Sequence, residues 1–158
     1  MKLLIVDDDT WLCSALARGL VKLGHFARVA ASVDSACDLV QSEVPEAVLT
    51  DLELGPGGDG IELIRRLRAT GSAVPVLMMT GSDPKVARAR LRGAGLDEIV
   101  LLEKPFPFED LMKRLEELVP GSPGEPVDGA DASARPATPK AMAAFMGNVV
   151  RSLGGRVL

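Results

Sequence analysis

Near its start the chain runs Leu3-Leu4-Ile5-Val6 and then stops on three acids, Asp7, Asp8 and Asp9. Comparable breaks recur. Ala47-Val48-Leu49-Thr50 ends on Asp51, Val74-Pro75-Val76-Leu77-Met78-Met79 ends on Thr80, and Ile99-Val100-Leu101-Leu102 passes through Glu103 to Lys104-Pro105. A short apolar run with polar boundaries reads as a buried strand. In an open parallel sheet the carboxyl ends of the strands share one edge, and ligands bind there. Four strand ends would then deliver several carboxylates, a hydroxyl and an ammonium to one crevice. Crowded carboxylates repel unless a cation sits among them, and a small open site of hard oxygen ligands suits Mg²⁺. This is equipment for phosphoryl transfer, in which positioning and charge neutralisation do most of the catalysis.

Five strand-like runs are expected, over 3–6, 25–31, 46–51, 74–80 and 98–102, with helical patterns between them. Leu12, Leu16, Leu20 and Leu23 step at helical spacing up to Gly24. Ser32 reads as the N-cap of a second helix carrying Ala36, Leu39 and Val40. Ile61, Leu63, Ile64 and Leu67 make a third that closes near Gly71. Asp83-Pro84 opens a fourth, with Asp as cap and Pro in the first turn. Phe108, Leu111, Met112, Leu115 and Leu118 mark a fifth. The expectation is a doubly wound α/β sandwich whose parallel strands are buried on both faces and covered by helices. Residues 1–119 would form this unit. Residues 120–139, rich in Pro, Gly and Ala, read as a flexible linker. Residues 140–158 read as a short amphipathic helix with Met142, Phe145, Met146, Val149, Val150 and Leu153 on one stripe.

With 158 residues and 47% hydrophobic content, a sizeable core can form. The net charge is −4, which disfavours a chain-wide nucleic-acid footprint. No apolar run is long enough to span a bilayer, and the early one is too short for a signal peptide, so a cytoplasmic location is expected. Cys13 and Cys37 lie far apart and read as free packing thiols. His25, the only histidine, is placed at the edge of the second strand. The basic run Lys85, Arg88, Arg90, Arg92 reads as a solvated helix face, with a partner surface as the alternative.

VDDD at the first strand end, TDLEL around Asp51, MMTGS around Thr80 and EKPF around Lys104 together carry a resemblance. Over about residues 1–119 the chain resembles the receiver domain of bacterial two-component response regulators. The resemblance implies a flavodoxin-like five-stranded parallel sheet in the order 2-1-3-4-5. It further implies that Asp51 is the phosphoacceptor, taking a phosphoryl group from a sensor histidine kinase or phosphotransfer protein as an acyl phosphate. Asp7 and Asp8 would hold Mg²⁺ together with Asp51 and the backbone carbonyl of Glu53, Asp8 being the more direct of the acid pair. Lys104 would offset the remaining charge and bond a phosphoryl oxygen. Thr80 would donate its hydroxyl to the phosphoryl group and move in doing so, and Pro105 would supply a cis turn after Lys104.

Three features depart from the family pattern. The loop after Asp51 reads LELGPGGDG, one residue longer than usual, and its extra glycine is expected in a flexible loop. Leu101 occupies a switch position that is often aromatic in the family, and the chain has no Tyr. Glu53 and Ser82 stand two residues after Asp51 and Thr80, where the family tunes phosphoryl lifetime.

The leading expectation is a phosphorylation-switched signalling protein without separate substrate turnover. With only 39 residues after Val119, its output is expected through protein contacts, by tail docking or dimerisation, without direct DNA binding. A phosphorylation-independent adaptor is the alternative, favoured by Leu101. A Mg²⁺-dependent aspartyl-phosphate hydrolase of the haloacid dehalogenase type is a weaker one, because Trp11 stands where that family's D-x-D-x-[TV] pattern has Thr or Val.

Overall fold

A computed structural model describes residues 1–121. Strands β1 (Lys2–Val6), β2 (Phe26–Ala30), β3 (Ala47–Asp51), β4 (Val76–Thr80) and β5 (Val100–Glu103) alternate with helices α1 (Thr10–Lys22), α2 (Val33–Ser42), α3 (Gly60–Ala69), α4 (Pro84–Gly93) and α5 (Phe108–Leu118). All four strand pairings are parallel, in the order β2-β1-β3-β4-β5. Both the element order and the strand order match expectation.

Successive side chains on a strand point to opposite faces, and here each set has its own core. Leu4, Val6, Val48, Val76 and Met78 pack with Ala36 and Val40 of α2, Leu63, Ile64 and Leu67 of α3, and Ala87 and Leu91 of α4. Leu3, Ile5, Leu49, Leu77 and Met79 pack with Leu12, Leu16 and Leu20 of α1 and Leu111 and Leu115 of α5. This double coverage is why the central strands read as continuous apolar runs. The edge strand β2 is the exception to the expected two-sided burial. Phe26, Arg28 and Val29 are exposed, because an edge strand has a neighbour strand on one side only and the flanking helices cover it only in part. His25 lies just before β2 and is buried, its Nδ1 3.1 Å from the Met1 ammonium.

Caps set where the helices begin, and hence where the strand-end loops sit. Asp9 accepts hydrogen bonds from the Trp11 and Leu12 N–H groups. Ser32 and Ser35 form a reciprocal capping box. Asp59 caps α3 through the Ile61 N–H, and Asp83 caps α4 through the Lys85 N–H, with Pro84 in the first turn. The expected linker from residue 122 onward and the expected helix over 140–158 lie outside the described residues. Among the described residues no helix is long and apolar enough to cross a membrane.

Candidate phosphoryl-acceptor site

The chain reverses its winding direction between β1 and β3: the link from β1 leads outward to β2, whereas β3 leads the other way to β4. Such a switch point opens a crevice at the carboxyl edge of the sheet. The strand registers then align the ends. Val6 pairs with Thr50, Asp51 with Met79, and Thr80 with Glu103. Asp7 extends β1 by one more ladder bond, its N–H donating to the Ala30 carbonyl. The Lys104 N–H donates to the Thr80 carbonyl at 2.7 Å, pinning the end of β5 beside β4. The peptide between Lys104 and Pro105 is cis.

Lys104 is the cation of the site. Its Nζ lies 2.6 Å from Asp7 Oδ2 and 2.9 Å from Asp51 Oδ2. Asp7 is buried, 1% exposed, and its other oxygen accepts the Asp9 N–H at 2.9 Å. Asp8, by contrast, is exposed. One oxygen from each of Asp7, Asp8 and Asp51 falls within 4.8 Å of the others. Asp9 is not part of this group, because its carboxylate is committed to the α1 cap.

Charge and burial explain the titration of the pair. Burial pushes the Asp7 carboxyl above the ordinary carboxylate range, with the Lys104 ammonium and the Asp9 N–H offsetting only part of that push. Burial also works against the Lys104 ammonium, but its bonds to Asp7 and the charges of Asp7 and Asp51 outweigh it, so its pKa lies above the ordinary lysine value. Three carboxylates against one ammonium leave two negative charges uncompensated. With all-oxygen donors and one exposed side, the group fits a small divalent cation. Next to it the Cys13 thiol donates to the Asp7 carbonyl, and burial and the Asp7 charge push its pKa to about 12. A thiol so protonated is inert, in keeping with a packing role.

The other expected residues stand around this cluster. Thr80 is buried, and its hydroxyl accepts the Ser82 N–H at 3.0 Å instead of contacting Asp51. The Glu53 N–H donates to Asp51 Oδ1 at 3.4 Å, while the Glu53 side chain turns away toward Ser82. Leu101 is half-buried and packs against the core between the sheet and α4. The long loop after Asp51 is not loose. It forms a 3₁₀ turn over Gly55–Gly57 that closes on Asp8. Gly55 has φ +54°, and a Cβ there would fall 2.9 Å from Asp8 Oδ2. Gly60, at the start of α3, backs directly onto the Asp51 carbonyl, where no side chain would fit. These close approaches require glycine.

The sequence reading missed a second layer. Arg90 binds both Glu53 and Asp59. Arg88 donates to the Ile99 carbonyl, and Arg92 pairs with Asp97. Lys85, Arg88 and Arg92 are exposed as a solvated face would be, and Arg90 is the member of the run that turns inward to the loop. No local pattern could reveal this, because Arg90 meets partners 31 and 37 residues away.

A family model described as the response regulator receiver domain matches residues 3–116. The response regulator MprA of Mycolicibacterium vanbaalenii is 37% identical over 134 residues, covering 85% of this chain and 56% of its own length. MprA of Mycobacterium avium is 35% identical over 119 residues, covering 75% and 51%. The chain thus spans about half the length of these curated relatives. Among solved structures, the BeF₃-activated N-terminal receiver domain of Klebsiella pneumoniae RstA is 28% identical with a TM-score of 0.67, covering 76% of this chain and 99% of that one. The chemotaxis protein CheY4 of Vibrio cholerae shares the fold at 24% identity, with a TM-score of 0.67 and coverage of 74% and 97%. With a receiver model matched across most of its length and the acid cluster at the sheet's switch point, the chain belongs to the response regulator receiver domain family.

Proposed function

We infer that this protein is a phosphorylation-operated signalling switch whose acceptor is Asp51. The observation that carries this reading is the Lys104 ammonium bridging Asp7 and Asp51 across 97 and 53 residues of sequence, with Asp8 exposed beside them. In the proposed reaction an Asp51 carboxylate oxygen attacks the phosphorus of a phosphohistidine on a sensor kinase or phosphotransfer protein. The P–N bond breaks as the P–O bond forms, and the leaving imidazole takes up a proton. Asp7, Asp8, Asp51 and the Glu53 carbonyl would hold Mg²⁺, which when bound neutralises charge on the transferring group. Lys104 supplies a second, fixed positive charge. Its bond to Asp51 orients the nucleophile beforehand, and no reorganisation is then needed at the moment of transfer.

Thr80 supplies the switch. Its hydroxyl accepts from Ser82 and would donate to the phosphoryl group after rotating toward Asp51. That rotation would draw on the turn leading into α4, so the response is read out in the backbone after Thr80 and on α4 itself. Leu101 cannot relay it by swinging a ring. A protein partner at the α4–β5–α5 surface is the proposed recipient of the signal. The leucine at 101 is also the one observation favouring a constitutive adaptor, and the same assay separates the two readings. Incubation with acetyl phosphate and Mg²⁺ should add one phosphoryl group, labile to base and hydroxylamine and absent from Asp51→Asn. No adduct on the wild-type chain would favour the adaptor. An undiminished adduct on Asp51→Asn would reject the acceptor assignment.

A further inference from the structure

Arg90 lies on α4, where its side chain is only about one-third exposed and serves two acids at once. Its Nη1 donates to Glu53 Oε1 at 3.4 Å, and its Nη2 makes a short bond to Asp59 Oδ2. Those two acids mark the ends of one loop, and their backbones pair there as an isolated antiparallel bridge. One guanidinium therefore clamps both ends of the segment that runs from Asp51 to α3. The clamp reaches the chemistry along two routes. Through Glu53 it meets the Asp51 carboxylate, which accepts the Glu53 N–H. Through the loop it holds Gly55 against the Asp8 carboxylate. Ser82 adds a third strand, donating its hydroxyl to the same Glu53 oxygen at 3.0 Å while its N–H bonds the Thr80 hydroxyl.

We propose that Arg90 is a positioning residue for phosphorylation: it holds the Glu53 carboxylate away from Asp51 and keeps the following loop closed over Asp8. The site already carries two uncompensated negative charges, and its phosphoryl donor is an anion. A Glu53 carboxylate released from Arg90 would add a further negative charge at the mouth, where it repels the donor. Arg suits this task because its planar fork offers several donors in fixed directions, and one Lys ammonium cannot span both acids in the same way.

The inference rests on Asp51 being the acceptor, and the test keeps the two apart. The rate of labelling by acetyl phosphate with Mg²⁺ is measured at low ionic strength for the wild type, Arg90→Ala, Arg90→Lys, Glu53→Gln and Glu53→Gln/Arg90→Ala. Arg90→Ala should label about fivefold more slowly, the rate equivalent of one partly exposed ion pair, with Arg90→Lys in between. In the Glu53→Gln background the same Arg90→Ala change should slow labelling by less than half as much, since only the Asp59 route to the loop is then left to lose and the two changes are non-additive. A wild-type chain that takes no label overturns the Asp51 reading and this inference with it. Wild-type labelling with an unchanged rate in Arg90→Ala overturns the inference alone. So does a slowed Arg90→Ala whose full deficit persists undiminished in the Glu53→Gln background, because the arginine would then be acting without Glu53.

Discussion

The two ends of the sheet handle charge in opposite ways. At the carboxyl edge, Asp7, Asp8 and Asp51 crowd around the single ammonium of Lys104, and the most negative pair is buried or nearly so. At the amino edge, Lys2 meets Glu43 at 2.5 Å and Arg28 approaches the same acid, all in open solvent. The buried His25 ring lies against the Met1 ammonium. The amino edge is balanced and solvated, so each pair contributes little to stability. The carboxyl edge is unbalanced and desolvated, which costs stability and leaves a demand for positive charge. An excess of buried like charge is poor design for a scaffold and good design for a site that must attract a cation and a nucleophile's target. Function is therefore concentrated where the fold is electrostatically least content.

Replacing Lys104 should break this contrast most severely. Lys104→Met strands Asp7 and Asp51 without their counter-ion, and urea unfolding at pH 7 should show a loss of about 2–3 kcal/mol, below the range for a fully buried pair because Lys104 is partly exposed. The deficit should shrink on acidification. Without its ammonium the Asp7 carboxyl lies further above its ordinary value, so stability is retained at low pH and is lost as pH rises through that raised pKa. A deficit that does not depend on pH would mean that packing, not charge, is lost. Asp8→Ala should act on binding alone. The exposed side chain leaves stability within about 0.5 kcal/mol, while Mg²⁺ affinity, followed by the fluorescence of Trp11 two residues along the fold's first helix, should fall by at least about tenfold.

Effects at the amino edge should be smaller. Burial, joined by the Met1 ammonium, lowers the His25 pKa, so the folded chain prefers a neutral ring. Below the unfolded value of about 6.5, the unfolded chain takes a proton first and stability falls as pH drops toward the folded pKa. Glu46 and Glu116 face the same ring and pull the other way, which keeps the effect modest. The wild type should lose more stability than His25→Gln between neutral and mildly acid pH, and parallel profiles would remove His25 from the account. Least of all, Glu43→Gln should leave the urea midpoint unchanged within error; a clear shift would show that the exposed pair matters and weaken the contrast between the edges.

How much of this was legible in the sequence depended on the range of the determining contacts. Strand ends at Val6, Asp51 and Thr80 announce themselves, because an apolar run gives way to a polar residue within one or two positions. Ser32 and Asp83 were readable as caps for the same local reason. The exposure of Phe26 and Val29 was not, since it depends on which strand lies at the edge and how far the helices extend. The glycine-rich loop after Asp51 looked flexible by composition, yet its glycines lie close against Asp8, Ala31 and Ser32, which follow earlier strands. Arg90 was misread because its partners are set by the folded arrangement of α4 over the loop, and a run of arginines on one helix gives no hint of it.

The central claim is that the four strand ends form one phosphoryl-acceptor site with Asp51 as the nucleophile. Borohydride reduction after acetyl phosphate treatment tests it most directly, because hydride converts an aspartyl phosphate to homoserine and leaves free carboxylates untouched. Peptide mass spectrometry of the Mg²⁺-treated wild-type chain should find homoserine at position 51 and at no other acid, and none when Mg²⁺ is chelated. Homoserine at Asp7, Asp8 or Asp9, or reduction at position 51 that proceeds equally without the metal, would contradict the account.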